Sequence, residues 1–140
     1  MTDGHSTPFL AKTAISLLRY RGDDVIAVID RDNVGRSAEE VFGVGGALPI
    51  IDGVPSNQDL QPDAIYIGIA PPGGHCPTAW RKILLDAIRR GIDVVSGLHD
   101  FLNDDPEYVR EAKQSGSNLI DVRHMHFKET ATASPFRSGC

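Results

Sequence analysis

The feature that most constrains this chain is a set of short, unbroken apolar runs that alternate with segments of helical periodicity. Residues 25–29 (Val-Ile-Ala-Val-Ile) and 64–69 (Ala-Ile-Tyr-Ile-Gly-Ile) have no polar alternation. A strand with one wet face alternates, so these runs read as strands covered on both faces, which is the habit of parallel sheets. Shorter runs at 48–51, 92–95 and 118–122 repeat the signal more weakly. Between them fall helical patterns. Leu10, Ala14, Leu17 and Leu18 share one face of a helix that runs to Tyr20 and is stopped by Gly22. Ser37 is placed to cap a short helix with Glu39 and Glu40 in its first turn, ending near Phe42 and Gly43. Pro77 opens a helix that carries Trp80, Ile83, Leu84, Ala87 and Ile88 at i, i+3, i+4, i+7 and i+8 and closes at Gly91. A last helix is expected from about Pro106 to Gln114, before Gly116, and a brief helical turn at 56–60.

Strand–helix alternation with short loops predicts an α/β fold. Right-handed crossovers narrow it to a Rossmann-like doubly wound parallel sheet of about five strands in three layers. With 140 residues the chain is one domain, expected over residues 10–123. Residues 1–9 and 124–140 lack periodicity and read as flexible termini. There is no apolar leader, and the apolar runs are too short to span a bilayer, so a cytoplasmic, membrane-free protein is expected. Nineteen acids against fourteen bases leave a net charge of −5, the wrong sign for a general nucleic-acid binder. Two cysteines exclude a disulfide scaffold and a four-cysteine zinc site.

Ligands of such sheets sit beyond the carboxyl ends of the strands, which directs attention to four loops. Asp30 ends the first long run, where an acid commonly meets a ribose hydroxyl; alternatively it caps its own loop. Gly35 and Arg36 follow, a flexible backbone beside a planar cation suited to phosphate. Ala70-Pro71-Pro72-Gly73-Gly74 precedes a helix start, so Pro72, Gly73 and Gly74 are candidate anion ligands, against the alternative of a plain turn. Ser96 and Gly97 follow the 92–95 run, and His99 beyond them is the candidate catalytic residue, against a surface role. No metal site is expected: His75 with Cys76, and His124 with His126, are each too few. The acidic residues 100–105 read as helix capping. Gly43-Val44-Gly45-Gly46 lacks the Gly-Lys-Ser/Thr ending of a phosphate loop, no Gly-x-Gly-x-x-Gly precedes Asp30, and no Gly-x-Ser-x-Gly elbow is present.

Several blocks in register carry a family likeness. They are Lys12-Thr13-Ala14, Val28-Ile29-Asp30, Ala38-Glu39-Glu40-Val41-Phe42-Gly43, Ile67-Gly68-Ile69-Ala70-Pro71-Pro72-Gly73-Gly74, Ser96-Gly97-Leu98-His99-Asp100-Phe101-Leu102 and Asp121-Val122-Arg123. From Lys12 to Arg123 the chain resembles the N-terminal Rossmann-like domain of a bacterial and archaeal two-domain family of formerly unknown function. Some members of that family are D-glutamate N-acetyltransferases. More distantly it is similar to the CoA-binding domain of succinyl-CoA synthetases, through Ala87-Ile88 and Gly91-Ile92. The resemblance implies a domain for an adenine-nucleotide-type ligand, with CoA or acetyl-CoA preferred, and an N-acyltransferase association that this chain alone does not complete. It also implies a P-loop domain in full-length relatives. Two alternatives stand beside it: an NAD-binding epimerase/dehydratase-like oxidoreductase, and a non-catalytic homo-oligomerisation domain anchored by Trp80 and Phe101.

Overall fold

The computed structural model describes residues 1–55, 61–69 and 75–122. Its elements follow the order α1 (Lys12–Arg21), β1 (Val28–Ile29), α2 (Ala38–Phe42), β2 (Ile50–Ile51), β3 (Ala64–Tyr66), α3 (Arg81–Arg89), β4 (Asp93–Ser96), α4 (Pro106–Ser115) and β5 (Leu119–Asp121). All pairings between strands are parallel, beside one isolated antiparallel bridge of Ser37 with Pro49, and the fold is the α/β, Rossmann-like arrangement that the alternation predicts. The expected turn at 56–60 lies outside the described residues.

The five strands form two sheets, β1-β2 and β3-β4-β5. The first two residues of the chain stand between them. The Met1 amine donates to the Tyr66 carbonyl at 2.6 Å, and the Gly68 N–H donates to the Met1 carbonyl at 3.0 Å, which is one parallel bridge. On the other side the Thr2 N–H donates to the Ile29 carbonyl at 3.0 Å. The spatial order is therefore β2, β1, residues 1–2, β3, β4, β5, which is the 3-2-1-4-5-6 order of a doubly wound sheet with residues 1–2 in the central place. The segment before Leu10 has no helix or strand of its own, yet Thr2 and Asp3 are buried.

Strand lengths differ from the apolar runs. Of residues 25–29 only Val28 and Ile29 join a ladder, because β2 offers a two-residue partner and Pro49 before it has no N–H to give. The helix termini follow local chemistry. The Ser37 hydroxyl accepts from the Glu40 N–H at 3.2 Å, and Gly43 ends α2 in the left-handed region at φ +74°. The Asp105 carboxylate caps α4 through the Glu107 and Tyr108 N–H groups, with Pro106 in the first turn. Trp80 lies in a 3-10 turn just before α3 and is 1% exposed, so it belongs to the core and cannot anchor an outward interface.

Helix α1 crosses close above β3. A Cβ on Gly68 would stand 2.7 Å from the Ala14 Cβ and 3.0 Å from its Cα, and the Ala14 N–H donates to the Gly68 carbonyl at 3.1 Å. Neither neighbour is a flexible side-chain end, so α1 must shift to admit a methyl group. Gly68→Ala should lower stability by about 1–3 kcal/mol, read as a lower urea midpoint with an unchanged slope. An unchanged midpoint would show that α1 is free to slide.

Candidate functional site

Asp30, the residue after β1, is fully buried. Its carboxylate accepts from Ser6 Oγ, from Asn33 Nδ2 at 2.6 Å, from the Asp32 N–H at 3.0 Å and from the Gly4 N–H at 3.3 Å. Burial pushes its pKa up, but these bonds together outweigh burial and hold it below the ordinary carboxylate value. With its acceptor positions taken by four protein donors, Asp30 ties residues 4–6 to residues 31–33, the capping alternative of the sequence reading.

A second carboxylate continues the tie. Asp3 receives the Arg31 guanidinium, Nη2 at 2.6 Å and Nε at 3.1 Å, and the Arg31 N–H at 2.7 Å, so its pKa is also lowered, chiefly by Arg31. Arg31 Nη2 reaches the Ala79 carbonyl at 3.3 Å, and Trp80 Nε1 donates to the Asp3 carbonyl at 3.0 Å. The His5 ring meets Trp80 edge-on at 5.8 Å. Residues 3–6 thus cover the carboxyl end of β1.

Gly35 has φ +89°, which L side chains rarely adopt, and its N–H donates to the Ile50 carbonyl at 3.3 Å. The Arg36 guanidinium is half-exposed, bonded to Asn33 Oδ1 at 3.1 Å and 3.6 Å from Glu40. That leaves part of its donor fork to solvent. Ser96 is buried, with its hydroxyl accepting from the Leu98 N–H at 3.2 Å, so it shapes the turn after β4. Gly97 is exposed within that turn, and His99 is exposed with no hydrogen bond to another described residue. Pro72, Gly73 and Gly74 lie outside the described residues.

The chemistry missed in the sequence lies between the ends of β3 and β4. His75 Nδ1 stands 2.9 Å from Asp100 Oδ1, and the Cys76 N–H donates to Asp100 Oδ2 at 2.9 Å. The His75 contact, then the Cys76 amide, hold the Asp100 carboxyl below its ordinary pKa. An ionised carboxylate only accepts, so Nδ1 carries the hydrogen, and in the neutral ring Nε2 is then an exposed acceptor, the arrangement of an oriented general base. The available signal was positional. His75 and Asp100 follow neighbouring parallel strands, although 25 residues separate them in the chain. Cys76 is not a competing nucleophile, since burial, then the Asp100 charge, push its thiol up to about 11.

Parallel strands in doubly wound order, with the polar side chains gathered beyond their carboxyl ends, define a Rossmann-like domain. The chain belongs to the family described as "Domain of unknown function (DUF1611_N) Rossmann-like domain", which matches residues 31–125. A crystal structure of a DUF1611 family protein from Anabaena variabilis is similar at TM-score 0.76 and 34% identity, over 88% of this chain and 36% of that one. A D-glutamate N-acetyltransferase from Tritonibacter scottomollicae is 41% identical over 59 residues, which is 42% of this chain and 18% of the relative. One from Pseudoalteromonas sp. is 40% identical over 65 residues, 46% of this chain and 20% of the relative. The chain therefore spans about a third of the solved relative, and the matched segments span a fifth or less of the acetyltransferases. Among the described residues no helix is long and apolar enough to cross a membrane.

Proposed function

We propose that the carboxyl edge of the strands binds an adenine-nucleotide-type ligand, CoA or acetyl-CoA by preference, and that this domain serves an N-acyl transfer reaction. The observation that carries the reading is the His75–Asp100 pair. Acyl transfer from a thioester to an amine needs a base to take the proton of the attacking nitrogen, and an exposed imidazole Nε2 held by a carboxylate is suited to that. The relatives named D-glutamate N-acetyltransferase support the same class of reaction. Arg36, with donors to spare beside the exposed Gly35, is assigned to the phosphates; His99, on the same turn as Asp100, is assigned to the ligand rather than to the proton. A further domain, of P-loop type by the resemblance, would supply the rest of the catalytic centre.

Titration calorimetry with acetyl-CoA, CoA, ATP and NAD tests this. Acetyl-CoA should bind, Arg36→Ala should weaken it about tenfold by removing one charge-assisted contact, and His75→Ala should leave affinity within about twofold. No heat and no thermal shift with any of the four would end the proposal. The NAD-dependent alternative is less well supported, because the acid it needs for the ribose, Asp30, is occupied by four protein donors. Enhanced NADH fluorescence on mixing, without acetyl-CoA binding, would reverse the preference.

A further inference from the structure

The His75–Asp100 pair joins two connections, the one that follows β3 and the one that follows β4. Asp100 is half-exposed, and among the described residues its carboxylate is bonded only to His75 and the Cys76 N–H. Both of those lie on the other connection. A carboxylate held by its partner alone moves with that partner and cannot set its orientation. What aims the imidazole is therefore whatever fixes Asp100 from its own side, along residues 97–105.

That connection is tied at its start, middle and end. At the start stands the Ser96 hydroxyl with the Leu98 N–H, and at the end Asp105 receives Arg81, Nη1 at 2.6 Å and Nη2 at 3.1 Å. In the middle the tie is Asp121, the last residue of β5. Its Oδ1 accepts from the Leu102 N–H at 2.8 Å. Its Oδ2 accepts from the Asn103 N–H at 3.0 Å and from Asn103 Nδ2 at 2.7 Å, and Nδ2 also reaches the Leu119 carbonyl at 2.9 Å. Asp121 is 3% exposed, so its bonds lie away from water, whereas the Arg81 side chain is 42% exposed. It grips the residues two and three places beyond Asp100. The register explains its reach: Asp121 stands beside Ser96, from which the connection departs.

We propose that Asp121 is a positioning residue for the base assigned above. By fixing Leu102 and Asn103 it holds Asp100 where that carboxylate selects the Nδ1–H form of His75, which leaves Nε2 to take a proton. Asp121 acts through Asp100 and not on the ring itself, and the proposal rests on the reading of His75 as that base. The comparison with Asp30 sharpens it. Both are buried acids at the carboxyl end of a strand, with protein donors on both oxygens. Asp30 binds the connection that follows its own strand, while Asp121 binds the connection that follows the strand beside it. Only the second of these carries a partner of His75.

The test reads the tautomer of His75 in the whole chain by long-range proton–nitrogen correlation spectra, at alkaline pH, where an imidazole is neutral. The chain has five histidines, and a His75→Gln variant assigns the signal. In the wild type the Nδ1–H form should exceed the Nε2–H form at least about tenfold, the worth of one charge-assisted hydrogen bond. Asp100→Ala should return the ratio to that of a free imidazole. Asp121→Asn offers one acceptor oxygen to three donors, so the ratio should fall at least about threefold. In that variant the Leu102 and Asn103 amides should exchange faster, the β4 and α4 amides should stay protected, and acetyl-CoA affinity should hold within about twofold. Where Asp121→Asn does not fold, Asn103→Ala removes the side-chain bonds from an exposed position, and its ratio should move the same way by about twofold. An unchanged ratio in either folded variant would overturn the proposal, since a purely structural Asp121 lowers the urea midpoint without moving the tautomer. A wild type that binds no acetyl-CoA would instead end the functional reading, whatever the tautomer ratios.

Discussion

Asp30→Ala is expected to lower the stability of the domain by about 3 kcal/mol or more, since several neutral donors lose one buried charged acceptor and hydrogen bonds to charged groups contribute about 1.5–3 kcal/mol each. The mutation takes from Ser6 Oγ, Asn33 Nδ2 and the amides of Gly4 and Asp32 their shared acceptor, a carboxylate that is itself fully buried. Each loses a charge-assisted partner at once. Against a total of about 5–15 kcal/mol for a domain of this size, the loss should be plain in a urea titration as a large fall in midpoint. Asp30→Asn keeps the shape but offers one acceptor oxygen and two unwanted donors, so it should be damaging too, though less. The pH dependence has a definite sign. The folded pKa of Asp30 lies below its ordinary 3.8, so its contribution is fully present above that value and is lost as pH falls through the folded one. Wild-type stability should fall on acidification below about pH 4, and the alanine variant should fall less steeply. A ligand-binding Asp30 would give the opposite pattern, an unchanged midpoint with ligand affinity lost.

What was legible in the sequence was what short-range chemistry decides. The Ser37 cap, the Gly43 and Gly116 ends and the Asp105–Pro106 start of α4 need only neighbours within a few residues, and each appears as read. The strands were found but measured too long, since ladder length depends on the partner: residues 25–27 are as apolar as Val28 and Ile29 and have no strand beside them. Residues 1–9 carry no periodic signal, because the contacts that bury Thr2 and Asp3 are hydrogen bonds to β1, Arg31 and Trp80, which no local pattern announces. The same holds at the site. Asp30 stood out by its place after a strand, but its role is set by Gly4 and Ser6, 26 and 24 residues away. His75 and Asp100 meet only because β3 and β4 are neighbours. His99 was selected by position alone, one residue short of the side chain that makes the contact.

Trp80→Ala should lower stability by about 3–5 kcal/mol, as expected for removing a fully buried aromatic that leaves a cavity. Two separable effects contribute. The indole fills the core with Leu84, Ile88 and Leu98 at the foot of α3, and its Nε1 holds the Asp3 carbonyl. Trp80→Phe separates them, since it keeps most of the ring and removes the N–H. That variant should lose roughly 0.5–1.5 kcal/mol, the net worth of one hydrogen bond plus a smaller packing loss, because the Asp3 carbonyl keeps its contact with His5 Nδ1 at 2.9 Å. Because Asp3 also receives Arg31 and lies beside the residues that fill the acceptors of Asp30, removing one of the two contacts on its carbonyl loosens the cover over the carboxyl end of β1. In the phenylalanine variant, amide exchange should therefore quicken first at Gly4 and at Asp32, while the α4 amides stay protected. Trp80 is the chain's one tryptophan, so its fluorescence in the wild type reports on this contact directly. Emission should be blue-shifted in the folded state and should move to the red together with the loss of helical circular dichroism. An earlier red shift would mean that residues 3–6 detach before the domain unfolds, and that the carboxyl end of β1 opens without melting the fold around it.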